Sequence, residues 1–312
     1  MCQISQLKYQ QGNTFTGTYR LRKPVRAISR SSTPYMACTL EDATGSLKVY
    51  SWGEITCEVS DMNLVTASCR LRRFNNEWIA DMVNVEHFTG TPSNPLDLIP
   101  DSFCPKPEQL TLLRNLVDSI RHSAVKEFVL SVLSDDEIAL RFVRLPASKN
   151  HHHSHPGGLL EHSLSSAIRV ADVMGKNHEL TELAIVGALF HDVAKVRTLA
   201  AEGKLTPTGY LIGHDNMTLE VLAPHFKMLD QAYPDIGVAL RYIWTWKNDK
   251  NRNSIPCIAI AEVVAGVDRI DTAINVDKEV FMGKPDRQNA SKYKGTSFRW
   301  RPSMKAARRG AT

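Results

Sequence analysis

The sequence predicts a protein with two folded domains, a small all-β barrel followed by an all-α domain. Polar and apolar residues alternate over much of residues 13–87, which is typical of half-buried strands. In residues 108–281 the apolar residues recur at helical spacing instead. Five prolines in residues 91–107 separate the two patterns and predict a linker without a regular element. We therefore expect a barrel domain at 1–90, a linker at 91–107, a helical domain at 108–281 and a basic tail at 282–312.

Two β-hairpins are recognisable in the barrel domain. Apolar residues alternate with polar ones from Met36 to Leu40, a turn follows at residues 41–45, and the alternation resumes from Leu47 to Val49. The segments NLVTASCRLRRF and EWIADMVNVEHF flank Asn75-Asn76, a pair suited to a tight turn. About five short strands fit this domain, as in an OB-fold barrel. The stretch PYMACTLEDATGSLKVYSW also resembles OB-fold modules in its L-x-D, its T-G and its final tryptophan.

An OB-fold binds single-stranded nucleic acid on one strand face, where aromatic rings stack on bases and basic side chains contact phosphates. Tyr35, Arg73 and Trp78 have the residue types for these contacts. The alternative is that Trp78 packs in the barrel core and that Arg73 is merely solvated. Single-stranded RNA or DNA is the partner that this domain predicts.

Histidine is concentrated at residues 150–163, in the stretch NHHHSHPGGLLEHS. Gly157-Gly158 allows a sharp turn, after which an apolar stripe at residues 164, 168, 171 and 174 predicts a helix. His162 lies near the start of this helix. A lone histidine there is more often structural than a metal ligand, so its interpretation depends on partners elsewhere in the chain.

Acidic residues interrupt two further apolar segments. His191-Asp192 lies within TELAIVGALFHDVAKVRTL, which predicts one continuous, mostly buried helix. A buried unpaired carboxylate is costly, so Asp192 requires either Lys195 or a divalent cation as its partner. Asp268 and Asp271 stand one turn apart in IPCIAIAEVVAGVDRIDTAI. Imidazole and carboxylate groups together suit zinc, manganese or iron.

The order of these residues resembles the HD superfamily of helical metal-dependent phosphohydrolases, whose ligands follow the pattern H…HD…D. The flanking stretches GGLLEHS, ALFHDVAK and YLIGHDN are also similar, and the resemblance covers most of residues 145–275. Three motifs in the same order are more specific than an isolated HD dipeptide. The resemblance implies four primary metal ligands: His162, His191, Asp192 and Asp268.

An OB-fold joined to an HD domain resembles the YhaM-type 3′-to-5′ exoribonucleases over nearly the whole chain. This resemblance implies a phosphodiesterase that shortens single-stranded RNA, with single-stranded DNA as another substrate, by attack of a metal-activated water. It implies Mn2+ as the cofactor, with Zn2+ and Fe2+ as alternatives. It also implies that His214 reaches toward a second metal ion and that Lys195 reaches toward the substrate phosphate. His152 and His153 are further candidates for holding the phosphate or protonating the leaving oxygen.

The sequence departs from that family at residues 242–248, which read YIWTWKN where a histidine pair usually helps to hold a second metal. Three alternatives follow. The site holds one metal, or His153 or His155 holds the second one instead. The third alternative is a degenerate enzyme in which Trp244 and Trp246 stack on a nucleotide.

The basic tail carries most of the excess positive charge. Residues 282–312 contain nine lysines or arginines and one acid, a net +8, whereas the whole chain carries +5. Such a tail is either solvated and disordered or suited to a nucleic-acid backbone. Candidate contacts are Arg299, Trp300 and Arg301 in the tail, and Trp246 in the helical domain.

Composition sets the remaining expectations. Six cysteines without a CxxC pair argue against a structural zinc knuckle and for a reducing compartment. No stretch of twenty apolar residues and no leader are present, so we expect a cytoplasmic protein without a membrane partner. A homo-oligomer is compatible with the sequence. Two other functions stay open: a relaxase-like DNA-processing protein of a mobile element, and a nucleic-acid-binding protein with a structural metal site.

Overall fold

The structure is a computed structural model, and it describes residues 3–7, 14–53, 57–149, 153–175, 180–247 and 255–303. By its internal contacts the chain divides into two compact units. The first comprises Met1–Ser119 and Val129–Val143, and the second comprises Ile120–Phe128 and Arg144–Thr312. The first unit therefore includes the predicted linker and part of the predicted helical domain. The four-part division expected from the sequence stays a prediction.

A closed barrel forms the centre of the first unit. Its strands are β1 (Thr14–Ile28), β2 (Pro34–Asp42), β3 (Gly45–Trp52), β4 (Leu64–Phe74) and β5 (Glu77–His87), preceded by the short helix α1 (Ile4–Leu7). The strands neighbour each other in the order β1-β2-β3-β5-β4. Neighbouring strands run antiparallel, except that β3 and β5 are parallel. This is the five-stranded layout of an OB-fold, so the expected barrel is confirmed.

Strand β1 closes the barrel because it pairs with two neighbours. Its first half, Thr14 to Arg20, pairs with β4, and its second half pairs with β2 as far as Ile28. The register shifts between Arg22 and Val25, and this bulge gives a long strand the bend that closure requires. The inward-facing side chains of all five strands pack into one apolar core.

Both predicted hairpin turns are present. Asn75 and Asn76 connect β4 to β5 with φ angles of 47° and 65°. Asparagine tolerates this left-handed conformation, and two such residues give a turn whose twist matches the strands. Between β2 and β3, the buried Asp42 carboxylate accepts hydrogen bonds from the backbone N–H groups of Thr44 and Gly45 at 2.7 and 3.1 Å.

The proline-rich segment is more ordered than the sequence predicts. It forms two 3-10 helices, Pro95–Leu98 and Asp101–Phe103, instead of lacking regular structure. The side chain of Asn94 accepts a hydrogen bond from the N–H of Leu96, which caps the first of them. Leu96, Leu98 and Ile99 are buried, so apolar burial holds this segment in place.

A buried arginine ties this segment and a helix to the barrel. Arg20 on β1 is only 4 % exposed, and its Nε donates to the carbonyl oxygen of Leu98 at 3.1 Å. Its two terminal nitrogens donate to both carboxylate oxygens of Asp136 at 2.6 and 2.5 Å. A bidentate pair of this kind has a fixed geometry, which explains why residues 129–143 belong to the barrel unit.

The rest of the chain is mainly helical. The helices are α2 (Pro107–Ser119), α3 (Ser123–Ser134), α4 (Asp136–Phe142), α5 (Gly158–Met174), α6 (Thr181–Phe190), α7 (Lys195–Thr198), α8 (Pro207–Leu211), α9 (His214–Leu222), α10 (Lys227–Ala232), α11 (Pro234–Lys247) and α12 (Ala259–Phe281). A two-stranded hairpin of β6 (Ala290–Tyr293) and β7 (Ser297–Trp300) follows them. Over the described parts of the chain, each helix is too short or too polar to cross a bilayer.

Helices α5, α6, α11 and α12 pack together in the second unit. Gly187 on α6 allows α11 to approach closely, since a Cβ at this position would lie 2.9 Å from Cγ2 of Ile243. Beside it, the indole N–H of the buried Trp244 donates to the carbonyl oxygen of Gly187 at 2.9 Å. This contact fixes the C-terminal half of α6 against α11.

The buried face of α5 differs from the predicted apolar stripe. Ile168 is 41 % exposed, whereas His162 is buried together with Leu160, Ala167 and Val170. The sequence pattern fails here because the helix buries small and polar residues, including Ser163 and Ser166, against its neighbours. The face that carries His162 is consequently directed into the protein.

Candidate metal centre

The four side chains predicted as primary ligands come together from three elements. His162 lies on α5 and Asp268 lies on α12. His191 and Asp192 lie directly after the last residue of α6, in a turn over residues 191–194. The continuous helix predicted for this segment is therefore wrong. The helix ends at Phe190, and hydrogen bonds to the third preceding residue, such as Val193 N–H to Phe190 C=O, tighten the chain into the turn.

The ligand atoms of His191, Asp192 and Asp268 all lie within 3.5 Å of His162 Nε2. His162 Nε2 lies 3.1 Å from His191 Nε2, 3.5 Å from Asp192 Oδ2 and 3.1 Å from Asp268 Oδ1. His191 Nε2 lies 3.3 Å from the same oxygen of Asp192 and 3.4 Å from that of Asp268. Ligands at about 2.0–2.2 Å from a common ion lie about 2.9–3.5 Å from each other in tetrahedral or octahedral geometry. The observed distances fit a transition-metal site.

The outer nitrogens of both histidines are already engaged. His162 Nδ1 lies 2.9 Å from Asp271 Oδ2, and His191 Nδ1 lies 2.6 Å from the carbonyl oxygen of Ala188. Both partners are acceptors, so each Nδ1 carries a proton, and when both rings are neutral each Nε2 presents a lone pair. Two lone pairs 3.1 Å apart cannot hydrogen-bond to each other. A cation between them satisfies both, and metal-bound histidines in proteins show this same outer pairing.

The centre is strongly electronegative. Burial by itself lowers the pKa of His162, but hydrogen bonds to Asp192, Asp268 and Asp271 outweigh it and raise the pKa to about 10. Burial acts to raise the pKa of Asp271, but hydrogen bonds from His153, His162 and Ser165 hold it well below its usual range. Without a metal ion, the neighbouring carboxylates favour the protonated, positively charged form of His162. A metal ion bound at this centre would therefore displace a proton.

Two of the predicted auxiliary residues lie at Asp192. The ammonium group of Lys195 lies 2.6 Å from Asp192 Oδ2, and His214 Nε2 lies 3.2 Å from Asp192 Oδ1. His214 is also 3.4 Å from Asp215 Oδ1, so Asp192, His214 and Asp215 form a second group of donor atoms that shares a carboxylate with the first. Asp192 thus has the salt bridge to Lys195 that the sequence offered as one alternative, and it also lies beside three histidines.

His153 lies on the outer side of the centre. Its Nε2 is 3.3 Å from Asp271 Oδ2 and its Nδ1 is 3.5 Å from Glu161 Oε2. These contacts do not test its predicted role at the phosphate, which stays a prediction. His152, the other predicted candidate, lies outside the described residues.

The sequence did not reveal the role of Asp271 at this centre. Its side chain is fully buried and accepts hydrogen bonds from His162, His153, the Ser165 hydroxyl at 2.5 Å and Asn275 Nδ2 at 3.0 Å. It therefore supports the ring of His162 from its outer nitrogen. The spacing of Asp268 and Asp271 indicated two placed acids, but it could not tell the ligand from its support.

The tryptophans of α11 are not available to a nucleotide. Trp244 is 1 % exposed and packs beside Phe128 and Phe226. Trp246 is 7 % exposed, stacks on Tyr242 and donates to Glu262 Oε2 at 3.2 Å. The prediction of Trp246 as a nucleic-acid contact is wrong, because core packing covers the ring. The same reason rules out stacking of a nucleotide on Trp244.

An aromatic surface covers part of the barrel. The rings of Tyr35 and Trp52 lie 5.3 Å apart, and Tyr50 lies 6.4 Å from each of them. Trp52 is 52 % exposed, and its indole N–H donates to Asp81 at 3.2 Å. The sequence predicts Tyr35 in such a surface, but it indicates Trp52 only as the end of a strand motif. Its outward direction follows from its pairing with Tyr35 across β2 and β3.

Basic and aromatic side chains continue along β4 and β5. Phe74 is 56 % exposed, and the guanidinium of Arg72 lies over its ring at 5.7 Å. Arg73 lies in the same way over Trp78, at 5.6 Å. Trp78 also packs against the barrel core, so the structural role considered for it is present. Whether Arg73 and Trp78 contact nucleic acid stays a prediction.

The described part of the basic tail folds back on α12. Tyr293 packs against Val276, Val280 and Phe281. Arg301 donates to the carbonyl oxygens of Lys284 and Pro285 at 3.2 and 2.9 Å, and lies 4.5 Å above the Phe281 ring. These donors hold the hairpin in place, and the nucleic-acid contact predicted for Arg301 stays a prediction.

The hairpin of the tail also carries exposed aromatic side chains, as the sequence predicts. Trp300 and Phe298 are 60 % and 66 % exposed on one face of the hairpin, beside Lys292 in the pairing register. Arg299 lies on the other face, with NH1 3.7 Å from Asp277 Oδ1. The nucleic-acid contacts predicted for Arg299 and Trp300 stay predictions. Residues 304–312, with the last three basic residues, lie outside the described residues.

Comparison with known sequences gives one partial match. The profile of the TraI_2 family, described as "Putative helicase", matches residues 96–184. This span includes His162 and ends before His191, and it is less than half of the chain. No curated protein matches the sequence.

Solved structures are similar to short parts of the chain. The protein PriB from Ralstonia solanacearum is 14 % identical, with 24 % of this chain and 96 % of that one covered and a TM-score of 0.22. The second OB-fold domain of replication protein A from Methanococcus maripaludis is 13 % identical, with 27 % and 91 % covered and a TM-score of 0.23. A replication protein A heterotrimer bound to single-stranded DNA is 22 % identical, with 25 % and 58 % covered and a TM-score of 0.21.

Proposed function

We propose that the protein is a metal-dependent phosphodiesterase that removes nucleotides from the 3′ end of single-stranded RNA, and of single-stranded DNA as a second substrate. The observation that carries this proposal is the convergence of His162, His191, Asp192 and Asp268 within 3.1–3.5 Å of one another, in the pairs given above. A purely structural site is closed by its ligands, whereas here Asp268 keeps 24 % of its side chain exposed. Substrate therefore has an approach to the centre.

The four primary residues hold the cation, and Mn2+ is the first ion to test. A bound divalent cation polarises phosphoryl oxygens and lowers the pKa of water. Lys195 contributes a positive charge beside Asp192 and can pair with a phosphate oxygen. His214 is one-third exposed, so its ring is placed to donate a hydrogen bond to a substrate that approaches Asp192. Asp271 keeps the ring of His162 in the orientation that binding requires.

The barrel supplies the strand-binding surface in this proposal. An OB-fold holds single strands by stacking bases on exposed aromatic rings next to basic side chains. Trp52 and Phe74 are the most exposed aromatic side chains described in the barrel, and Arg72 lies beside Phe74. Bound RNA would therefore follow the surface that contains Tyr35, Trp52 and Phe74.

Replacing Trp52 or Phe74 with alanine should weaken RNA binding and leave cleavage of a saturating dinucleotide unchanged. One base–aromatic stack contributes about 1–3 kcal/mol, which corresponds to a roughly 5- to 150-fold rise in Kd. Fluorescence anisotropy with a labelled single-stranded 15-mer measures the effect. Val83→Ala, an exposed apolar residue on β5, is the matched control and should bind normally. Unchanged affinity in both aromatic variants would remove the barrel surface from the proposal.

Incubation of the full chain with Mn2+ and single strands labelled at the 5′ end tests the reaction itself. We expect a ladder of products shortened one nucleotide at a time, which EDTA abolishes. RNA and DNA of the same sequence establish the preference between the two. Absence of metal-dependent cleavage on every substrate would contradict the enzyme and leave a nucleic-acid-binding protein with a structural metal site.

A second function is a relaxase-like processing of one DNA strand. The observation in its favour is the match of residues 96–184 to the TraI_2 family, which includes His162. In the same assay this function gives one internal cut with the DNA end attached to the protein, visible as a shift on a denaturing protein gel. The two products differ, so a single experiment separates the two enzymes.

A further inference from the structure

A second cluster of metal-binding side chains lies outside the primary centre. It contains His153 and His155, from the histidine-rich stretch before α5, and Glu161 on α5. Glu161 Oε2 lies 3.1 Å from His155 Nε2 and 3.5 Å from His153 Nδ1. The primary centre uses none of these atoms. The cluster therefore requires an account of its own.

The outer nitrogens of this histidine pair are engaged with acceptors. His153 Nε2 lies 3.3 Å from the Asp271 carboxylate, and His155 Nδ1 lies 3.1 Å from the carbonyl oxygen of Pro156. With the protons of the neutral rings on these nitrogens, His153 Nδ1 and His155 Nε2 would present lone pairs on the side of Glu161. This arrangement repeats the one found for His162 and His191, and it is the pairing typical of metal-bound imidazoles.

Backbone contacts hold His153 in position. The carbonyl oxygen of His153 accepts a hydrogen bond from the N–H of Ala147 at 2.9 Å. It also lies against Gly158, where a Cβ would come within 2.0 Å of it, so a residue without a side chain is needed there. His153 itself has a φ of 55°, a costly conformation for a residue with a Cβ. Strain of this kind persists where the surrounding structure fixes the chain.

We propose that His153 Nδ1, His155 Nε2 and Glu161 Oε2 form a second metal site, separate from the primary centre, that binds Zn2+. Two imidazoles and one carboxylate are a ligand set that zinc uses with a fourth position left to water. The side chain of His155 is 43 % exposed and that of Glu161 is 28 % exposed, so an ion can enter the site from solvent. His153 is nearly buried, which anchors the inner end.

The shared carboxylate of Asp271 links the two sites. One of its oxygens accepts from both His153 Nε2 and His162 Nδ1. A zinc ion on His153 fixes the proton on Nε2 and with it this hydrogen bond. The second site therefore stabilises the orientation of a primary ligand, and it does so without contact with substrate.

Counting bound zinc tests the proposal independently of any activity. After equilibrium dialysis of the full chain against Zn2+, elemental analysis should find one more equivalent in the wild type than in His155→Ala or Glu161→Gln. In a chain that carries His191→Ala, the proposed site should still bind one equivalent, and adding Glu161→Gln should remove it. Glu202→Gln, an exposed glutamate of the same unit, is the matched control and should bind as the wild type does.

A readout of folding keeps the result interpretable. Zn2+ should raise the Tm of the His191→Ala chain, and this rise should be lost when Glu161→Gln is added. An equal zinc content in the wild type, His155→Ala and Glu161→Gln would overturn the second site, and so would a wild type whose zinc is lost entirely with His191→Ala. Neither outcome depends on whether the protein cleaves nucleic acid, so failure of this site and failure of the proposed function are distinguishable.

Discussion

We expect alanine in place of His191 or Asp192 to abolish the proposed hydrolysis of single-stranded nucleic acid and to leave strand binding by the barrel largely intact. Each change removes one ligand atom from the point where four converge. Loss of an outer partner of a metal ligand already costs about 10–100-fold in affinity or activity, and loss of the ligand itself costs more. We expect the rate to fall to about one-hundredth of wild type or less.

Initial rates with Mn2+ and labelled RNA measure this effect, and anisotropy with the same RNA measures binding. His122→Ala, a histidine of the second unit outside the centre, is the matched control and should keep the wild-type rate. Circular dichroism verifies that the variants are folded. A wild-type rate in either His191→Ala or Asp192→Ala would show that the ligand assignment is wrong.

Asp271→Asn should weaken metal binding and destabilise the second unit at the same time. The carboxylate accepts from two histidines, a serine and an asparagine while it is fully buried. An amide of the same size has one acceptor oxygen and two N–H donors, which then face other donors. Breaking a buried charged contact of this kind costs about 3 kcal/mol or more in the free energy of unfolding. Metal affinity should fall about 10–100-fold.

Chemical denaturation of the metal-free chains and calorimetric titration with Mn2+ measure the two effects separately. Asp172→Asn, on the exposed face of the same α5 that carries His162, is the matched control and should change neither quantity. An Asp271→Asn chain with wild-type metal affinity would contradict the role of Asp271 in orienting the ligands, whatever its stability.

The sequence predicts the barrel well because its determinants are local. Alternation along β2 and β3 places Met36, Cys38 and Leu40 inside, and Asn75-Asn76 determines a tight turn without help from distant residues. The four residues of the candidate metal centre were predicted for a related reason, since a histidine or carboxylate in an apolar helix requires a partner. Three motifs in a recognisable order then indicated which partners they were.

Features that depend on long-range packing were missed. Arg20 and Asp136 are 116 residues apart, and neither position is unusual in the sequence. Trp246 and Arg301 have the residue types of nucleic-acid contacts, but the folded chain uses them for internal hydrogen bonds. Asp271 and Glu161 each lie within one helical turn of a predicted ligand. Their contacts with His153 become visible only in the folded structure.

Diffraction data collected at the manganese absorption edge, from crystals of the protein soaked in Mn2+, test the metal centre of His162, His191, Asp192 and Asp268 most directly. We expect an anomalous peak at about 2.0–2.3 Å from His162 Nε2, His191 Nε2, Asp192 Oδ2 and Asp268 Oδ1. Well-ordered side chains at this point with no anomalous peak among them, or with ligand atoms too far apart to share one ion, would contradict it.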